Sequence, residues 1–168
     1  MGSFRQLLAA SEAVPTPPVA AVRDRAGKIL YDPRLLDSLL SDHVELGRLF
    51  GRIGDAGNAG EARELRSLLV TFKARLKAHL VVENMRFYDY LEQSLAGEPE
   101  TARMVLNYRR KMTRIASDVF DFIQKYQSSR LTPKERRQFT PDYETVGAEL
   151  EQRLDSEEDN LYRLYRPR

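Results

Sequence analysis

The chain contains no cysteine. That absence removes disulfides, thiolate-bound zinc and cysteine nucleophiles together, and it fits a reducing cytoplasm. No stretch approaches the roughly 20 apolar residues that span a bilayer. Met1-Gly2-Ser3-Phe4-Arg5 also lacks the basic segment and long apolar run of a signal peptide. The expectation is a soluble, cytoplasmic protein with no membrane role. Charge of one sign is missing too: 27 basic against 25 acidic residues leave a net charge of +2, too weak a field to argue for nucleic acid. Arg109-Arg110-Lys111 and Arg136-Arg137 therefore read as solvated faces. The glycines at 51, 54, 57 and 60 follow a helical stretch rather than a strand, so they read as a flexible loop and not a phosphate cradle. No serine stands near a histidine in a nucleophile motif, and no alternating strand pattern occurs. These gaps point away from an enzyme.

What is present is helical periodicity. At 168 residues the chain suits one domain with a sizeable core. Residues 1–28 read as a flexible arm, because Pro15-Thr16-Pro17-Pro18 stops any early helix. Asp32 as cap and Pro33 in the first turn open a first helix to about Ile53, where the glycines break it. A second helix runs from about Gly60 to Leu95, with Leu65, Leu68, Leu69, Phe72, Leu76 and Leu91 on its apolar stripe. A third, about Glu100 to Ser128, turns Val105, Met112, Ile115, Val119, Phe122 and Tyr126 toward a core. Beyond a break at Ser128 to Pro133 and a short helix to Phe139, Pro141-Asp142 opens the last helix, which repeats Tyr143, Val146, Leu150, Leu154, Leu161 and Leu164. Four such helices joined by short loops predict an all-α, antiparallel up-down-up-down four-helix bundle over residues 29–168.

Histidine is scarce, and both copies sit on apolar stripes. His79 and Glu83 lie four apart on one helix face, a metal-ligand spacing. His43 lies among Leu36, Leu39, Leu46, Leu49 and Phe50. A buried imidazole and carboxylate need partners. There is also an internal echo: Glu83 to Tyr88 matches Glu157 to Tyr162, a register in which His79 corresponds to Arg153.

These residues resemble the hemerythrin-like (HHE cation-binding) superfamily over roughly residues 28 to 165. The matching pieces are Asp42-His43-x-x-Leu46, His79-Leu80-x-x-Glu83-Asn84-x-x-Phe87-Tyr88 and Glu157-Glu158-x-x-Leu161-Tyr162. The resemblance implies a bundle holding two bridged irons, with His43 and His79 on one iron, and Glu83 and Glu158 (Glu157 as the alternative) as the bridging carboxylates. The second iron takes three histidines, two from helix three and one from helix four. Here those positions fall on residues such as Tyr108, Met112 and Ala116, and on Arg153. A complete di-iron site is therefore not expected, and reversible oxygen carriage falls with it. Three readings stay open: a single iron, manganese or zinc at His43, His79, Glu83 and Glu158; a metal-free core neutralised by Arg153, with Arg109 or Lys111; or a rotation exposing the carboxylates.

The aromatics Phe87, Tyr88, Tyr90, Tyr162 and Tyr165 read chiefly as core packing, with an exposed anchor for a protein partner or a second copy as the alternative. His79 followed by the Tyr88 region, together with Leu150-Glu151-x-Arg153-Leu154-x-x-Glu157, is in addition similar to bacterial anti-sigma regulators of the Rsd and AlgQ type, which implies a regulatory protein partner.

Overall fold

The structure is a computed structural model, and it describes residues 22–168. The arm expected over residues 1–28 lies mostly outside them. Residues 22–30 form a tight hairpin-like turn around Gly27, which adopts φ 81°, closed by an isolated bridge between Arg23 and Ile29. The Ile29 backbone is held on both sides by the Gln93 amide, at 2.8 and 2.9 Å.

All regular structure among the described residues is helical. The first rod is α1 (Leu35–Ala59). The second is α2 (Ala62–Val82), a π-helical stretch Glu83–Tyr88 and α3 (Asp89–Ser94) in unbroken succession. The third is α4 (Pro99–Gln127), with proline in its first turn, where the missing N–H has no helical partner to lose. The fourth is α5 (Pro133–Ser156), a second π stretch Glu157–Leu161 and a closing 3-10 turn Tyr162–Leu164. Contacts join α1 to α2, α2 to α4, α4 to α5 and α5 back to α1, so the rods form a closed ring around one core. No helix among the described residues is long and apolar enough to cross a membrane.

The expected stripes supply that core. Leu65, Leu69, Phe72, Leu76 and Leu91 from the second rod are at most 4% exposed, as are Val105, Met112 and Val119 from the third. Two expected boundaries need correction. The glycines do not break α1, which continues to Ala59 and stops only at Gly60, whose φ of 81° is the left-handed end that glycine favours. Gly54 and Gly57 serve packing instead. A Cβ on Gly54 would lie 2.5 Å from the Tyr143 ring, and one on Gly57 would lie 2.1 Å from Phe139, so the bare backbone lets α5 lay its aromatics against α1. The fourth rod, likewise, starts at Pro133 and not at Pro141. Thr132 and Glu135 form a reciprocal capping box there, and Pro141 is carried inside the helix.

The aromatic cluster is interior. Phe87, Tyr88, Tyr90, Tyr162 and Tyr165 are all 8% exposed or less, with Phe87 edge-on to Tyr162 at 5.3 Å and Tyr90 to Tyr165 at 4.9 Å. The alternative of an exposed aromatic anchor is overturned.

Candidate functional site

Both π stretches begin at a buried glutamate. The backbone N–H of Asp89 reaches back five residues to the Asn84 carbonyl, and that of Tyr162 to the Glu157 carbonyl, in place of the usual four. Each inserted residue re-aims the side chains that follow, so that Glu83, Phe87 and Tyr88 all point inward on the second rod, and Glu157, Leu161 and Tyr162 on the fourth. The sequence echo between these segments is thus a shared backbone irregularity, one that helical periodicity alone does not reveal.

Arg153 lies between the two glutamates. Its guanidinium is 4% exposed; Nη2 donates to Glu83 Oε2, Nε donates to Glu157 Oε1 at 2.9 Å, and Nη1 donates to the Met112 carbonyl at 3.3 Å. The arginine thus forks onto both carboxylates, a geometry suited to its planar donor set. Burial opposes its charge, but Glu83 and Glu157 more than offset that and hold its pKa above the ordinary value. Burial also penalises Glu83, yet Arg153 first and His79 next hold its pKa below the usual carboxylate range. Glu157 behaves oppositely: burial, and then the neighbouring charge of Glu83, drive its pKa well above that range. One ionised and one protonated glutamate around one guanidinium leave the centre electrically neutral.

The imidazoles adjoin this centre. Their ring centroids lie 4.9 Å apart, and both residues are buried, His43 at 1% and His79 at 3% exposure. His43 Nδ1 lies 3.2 Å from Glu158 Oε1, while its Nε2 faces Glu157 Oε2 and the Tyr162 hydroxyl, each at 3.5 Å. Burial lowers the His43 pKa, with the Glu158 hydrogen bond opposing and His79 adding to the fall. A neutral His43 donating from Nδ1 to Glu158 leaves Nε2 as an acceptor, which a protonated Glu157 or the Tyr162 hydroxyl can serve. His79 Nδ1 lies 3.4 Å from Asp42 Oδ2.

Of the residues singled out in the sequence, His43, His79, Glu83, Glu157 and Arg153 converge in the interior. Glu158 sits at the rim, its side chain 38% exposed. Lys111 is exposed, and Arg109 pairs with Asp89 at 3.1 Å and Glu92 at 2.6 Å instead of the inner glutamates. Sequence reading did not anticipate Tyr88, which ends the first π stretch, or Tyr162, which directly follows the second, as part of the site. The Tyr88 hydroxyl is buried without a hydrogen-bond partner, whereas the carboxyl groups of Glu83 and Glu157 share a hydrogen bond once Glu157 holds its proton. As arranged, the carboxylates surround a guanidinium rather than a shared point, and no group of three or more His, Cys, Asp or Glu among the described residues is placed to hold a metal ion. The residues do not, in this arrangement, fit the cation that such a bundle implies.

Compared with known families, the chain matches the hemerythrin HHE cation binding domain over residues 34–165. No curated protein and no solved structure matches it.

Proposed function

Since the chain belongs to the hemerythrin HHE cation-binding family, we propose that it is a regulatory binding protein of that fold whose inner carboxylates are held by Arg153 in place of a metal. Its rods run antiparallel, up-down-up-down, as the pairing of Phe50 with Tyr143 and of His43 with Glu157 and Glu158 supports. It is neither an oxygen carrier nor an enzyme. The observation that carries this reading is the buried guanidinium on Glu83 and Glu157. The third rod adds support, since it offers Met112 and Ala116 to the centre where a second iron needs imidazoles. A protein partner in the cytoplasm, of the kind anti-sigma regulators sequester, is the expected target; the similarity of the Leu150–Glu157 segment supports it.

The second reading is a single iron, manganese or zinc held by His43, His79, Glu83 and Glu158. It is favoured by two buried glutamates standing beside two buried imidazoles. Elemental analysis and a visible spectrum of untreated protein separate the two. Under the arginine reading the protein carries no stoichiometric metal, and a chelator leaves its melting temperature unchanged. Stoichiometric metal that disappears in His79→Ala, with a chelator-induced fall in melting temperature, sinks the arginine reading.

A further inference from the structure

A cavity of about 330 Å³ lies between the second and third rods and reaches Arg153. Its walls are apolar, formed by Leu80, Met112, Ala116 and Phe120. Its polar lining comes from Glu83, Asn84, Tyr88, Arg109 and Arg153, while Thr113 and Ser117, both exposed, mark its mouth. The volume falls within the range of small-molecule sites, roughly 300–1,000 Å³. A single bridging water, whose share of liquid volume is ~30 Å³, does not fill it, whereas a dry apolar cavity of about 150 Å³ already admits a benzene ring.

The chemistry of the polar end narrows the occupant. Glu83 and Arg153 neutralise each other, and Arg109 at the rim is already paired with Asp89 and Glu92. An ionic ligand thus finds no uncompensated charge, and burying its own would be costly. The Tyr88 hydroxyl is buried without a partner, and burial, followed by the charge of Glu83, raises its pKa, so it stays a donor. Glu83 is engaged by Arg153 and by the protonated carboxyl of Glu157, so it offers no free acceptor. A single hydroxyl on a ligand can accept from the Tyr88 hydroxyl.

The geometry points to a binding site for a small neutral molecule that carries one hydroxyl on an apolar body the size of a substituted ring, seated among Leu80, Met112, Ala116 and Phe120 with its hydroxyl at Tyr88. The site deepens the regulatory reading by giving it a ligand, and it rests on Arg153 holding the charge of Glu83.

Phenol and toluene are the probes, since they are near-isosteres in which a methyl replaces the hydroxyl. Calorimetric titration of the full chain with phenol is expected to saturate at one site, with toluene about tenfold weaker, the upper range for one net hydrogen bond. Tyr88→Phe should bring phenol down to the affinity of toluene and leave toluene unchanged, and Ala116→Leu, which fills the wall, should weaken both. Non-saturating phenol, equal affinities for the two probes, or phenol binding untouched by Tyr88→Phe or by Ala116→Leu in folded protein overturns the site. Repeating the titration after chelation separates the two readings: a change in the visible spectrum or in phenol affinity counts against Arg153 as the neutralising group. Failure to bind phenol with no response to chelation overturns the cavity proposal alone.

Discussion

The two sides of the buried carboxylate pair are furnished differently. Toward the first rod, His43 and His79 stand edge to face, and Glu158, Tyr162 and Asp42 approach their ring nitrogens. Toward the third rod no imidazole stands, only Met112 and Ala116, and the space beyond them is a cavity onto which the partnerless Tyr88 faces. Arg153 separates the two sides, with one nitrogen on each glutamate and a third on the third rod's backbone. Under the proposed arginine reading, the guanidinium supplies the charge a cation would, but its flat fork would not fill the volume of imidazole rings on the third-rod side, and the difference in volume is left as space.

The largest effect should come from the group on which both sides depend. Arg153→Ala strands ionised Glu83 in the interior, and breaking a buried pair of this kind costs about 3–5 kcal/mol. Urea denaturation is expected to give a loss in that range, partly recovered when Glu83→Gln is added, because the amide removes the uncompensated charge. A loss no larger than that of an ordinary surface arginine would mean that something other than Arg153 neutralises the glutamates.

Much of this asymmetry was legible in the chain. The core faces of all four rods follow the helical period, as Leu65, Leu69, Phe72 and Leu76 on one rod and Val105, Met112 and Val119 on another illustrate. His43, His79, Glu83 and Arg153 could be singled out because polar groups on apolar stripes require partners. What could not be read depends on contacts between rods. Gly54 and Gly57 look like helix breakers until Tyr143 and Phe139 are seen against them. Pro141 looks like a start until the Thr132–Glu135 capping box places one eight residues earlier. Which of Glu157 and Glu158 faces inward is set by the π stretch, where the period of 3.6 no longer applies. The cavity follows from the sizes of side chains on separate rods, information no single segment carries.

The histidine side can be sharpened by acid. His43 has a folded pKa below the ordinary 6.5, chiefly through burial. Below pH 6.5 the unfolded chain therefore binds a proton that the folded chain refuses, and stability is lost as pH falls. Glu157 has a folded pKa raised above 4.5, again chiefly through burial. Its contribution is fully present below 4.5 and is lost as pH rises toward the folded value. Between pH 6.5 and 4.5 the two slopes oppose each other, so the wild type should change little. Glu157→Gln should then lose stability on acidification, by up to about 1.4 kcal/mol per pH unit, while His43→Gln should gain it. Denaturation midpoints at pH 6.5 and 5 check the signs, and parallel slopes in the two variants would falsify the assignment.

The smallest effect distinguishes the two tyrosines that the echo pairs. Tyr162 places its hydroxyl 3.5 Å from His43 Nε2, whereas the hydroxyl of Tyr88 meets no partner within the protein. Removing a bonded hydroxyl costs about 0.5–1.5 kcal/mol net, but removing a buried unpaired one is close to neutral or stabilising. Tyr162→Phe is therefore expected to lower stability within that range, at its weak end given the distance. Tyr88→Phe should leave stability unchanged or slightly raised, because the ring contacts with Phe87 and Arg109 survive the substitution. Thermal denaturation of the two variants in ligand-free protein measures the difference directly. If Tyr88→Phe costs as much as Tyr162→Phe, the Tyr88 hydroxyl is already engaged inside the protein, and the contrast between the partnered and the open side of the centre disappears.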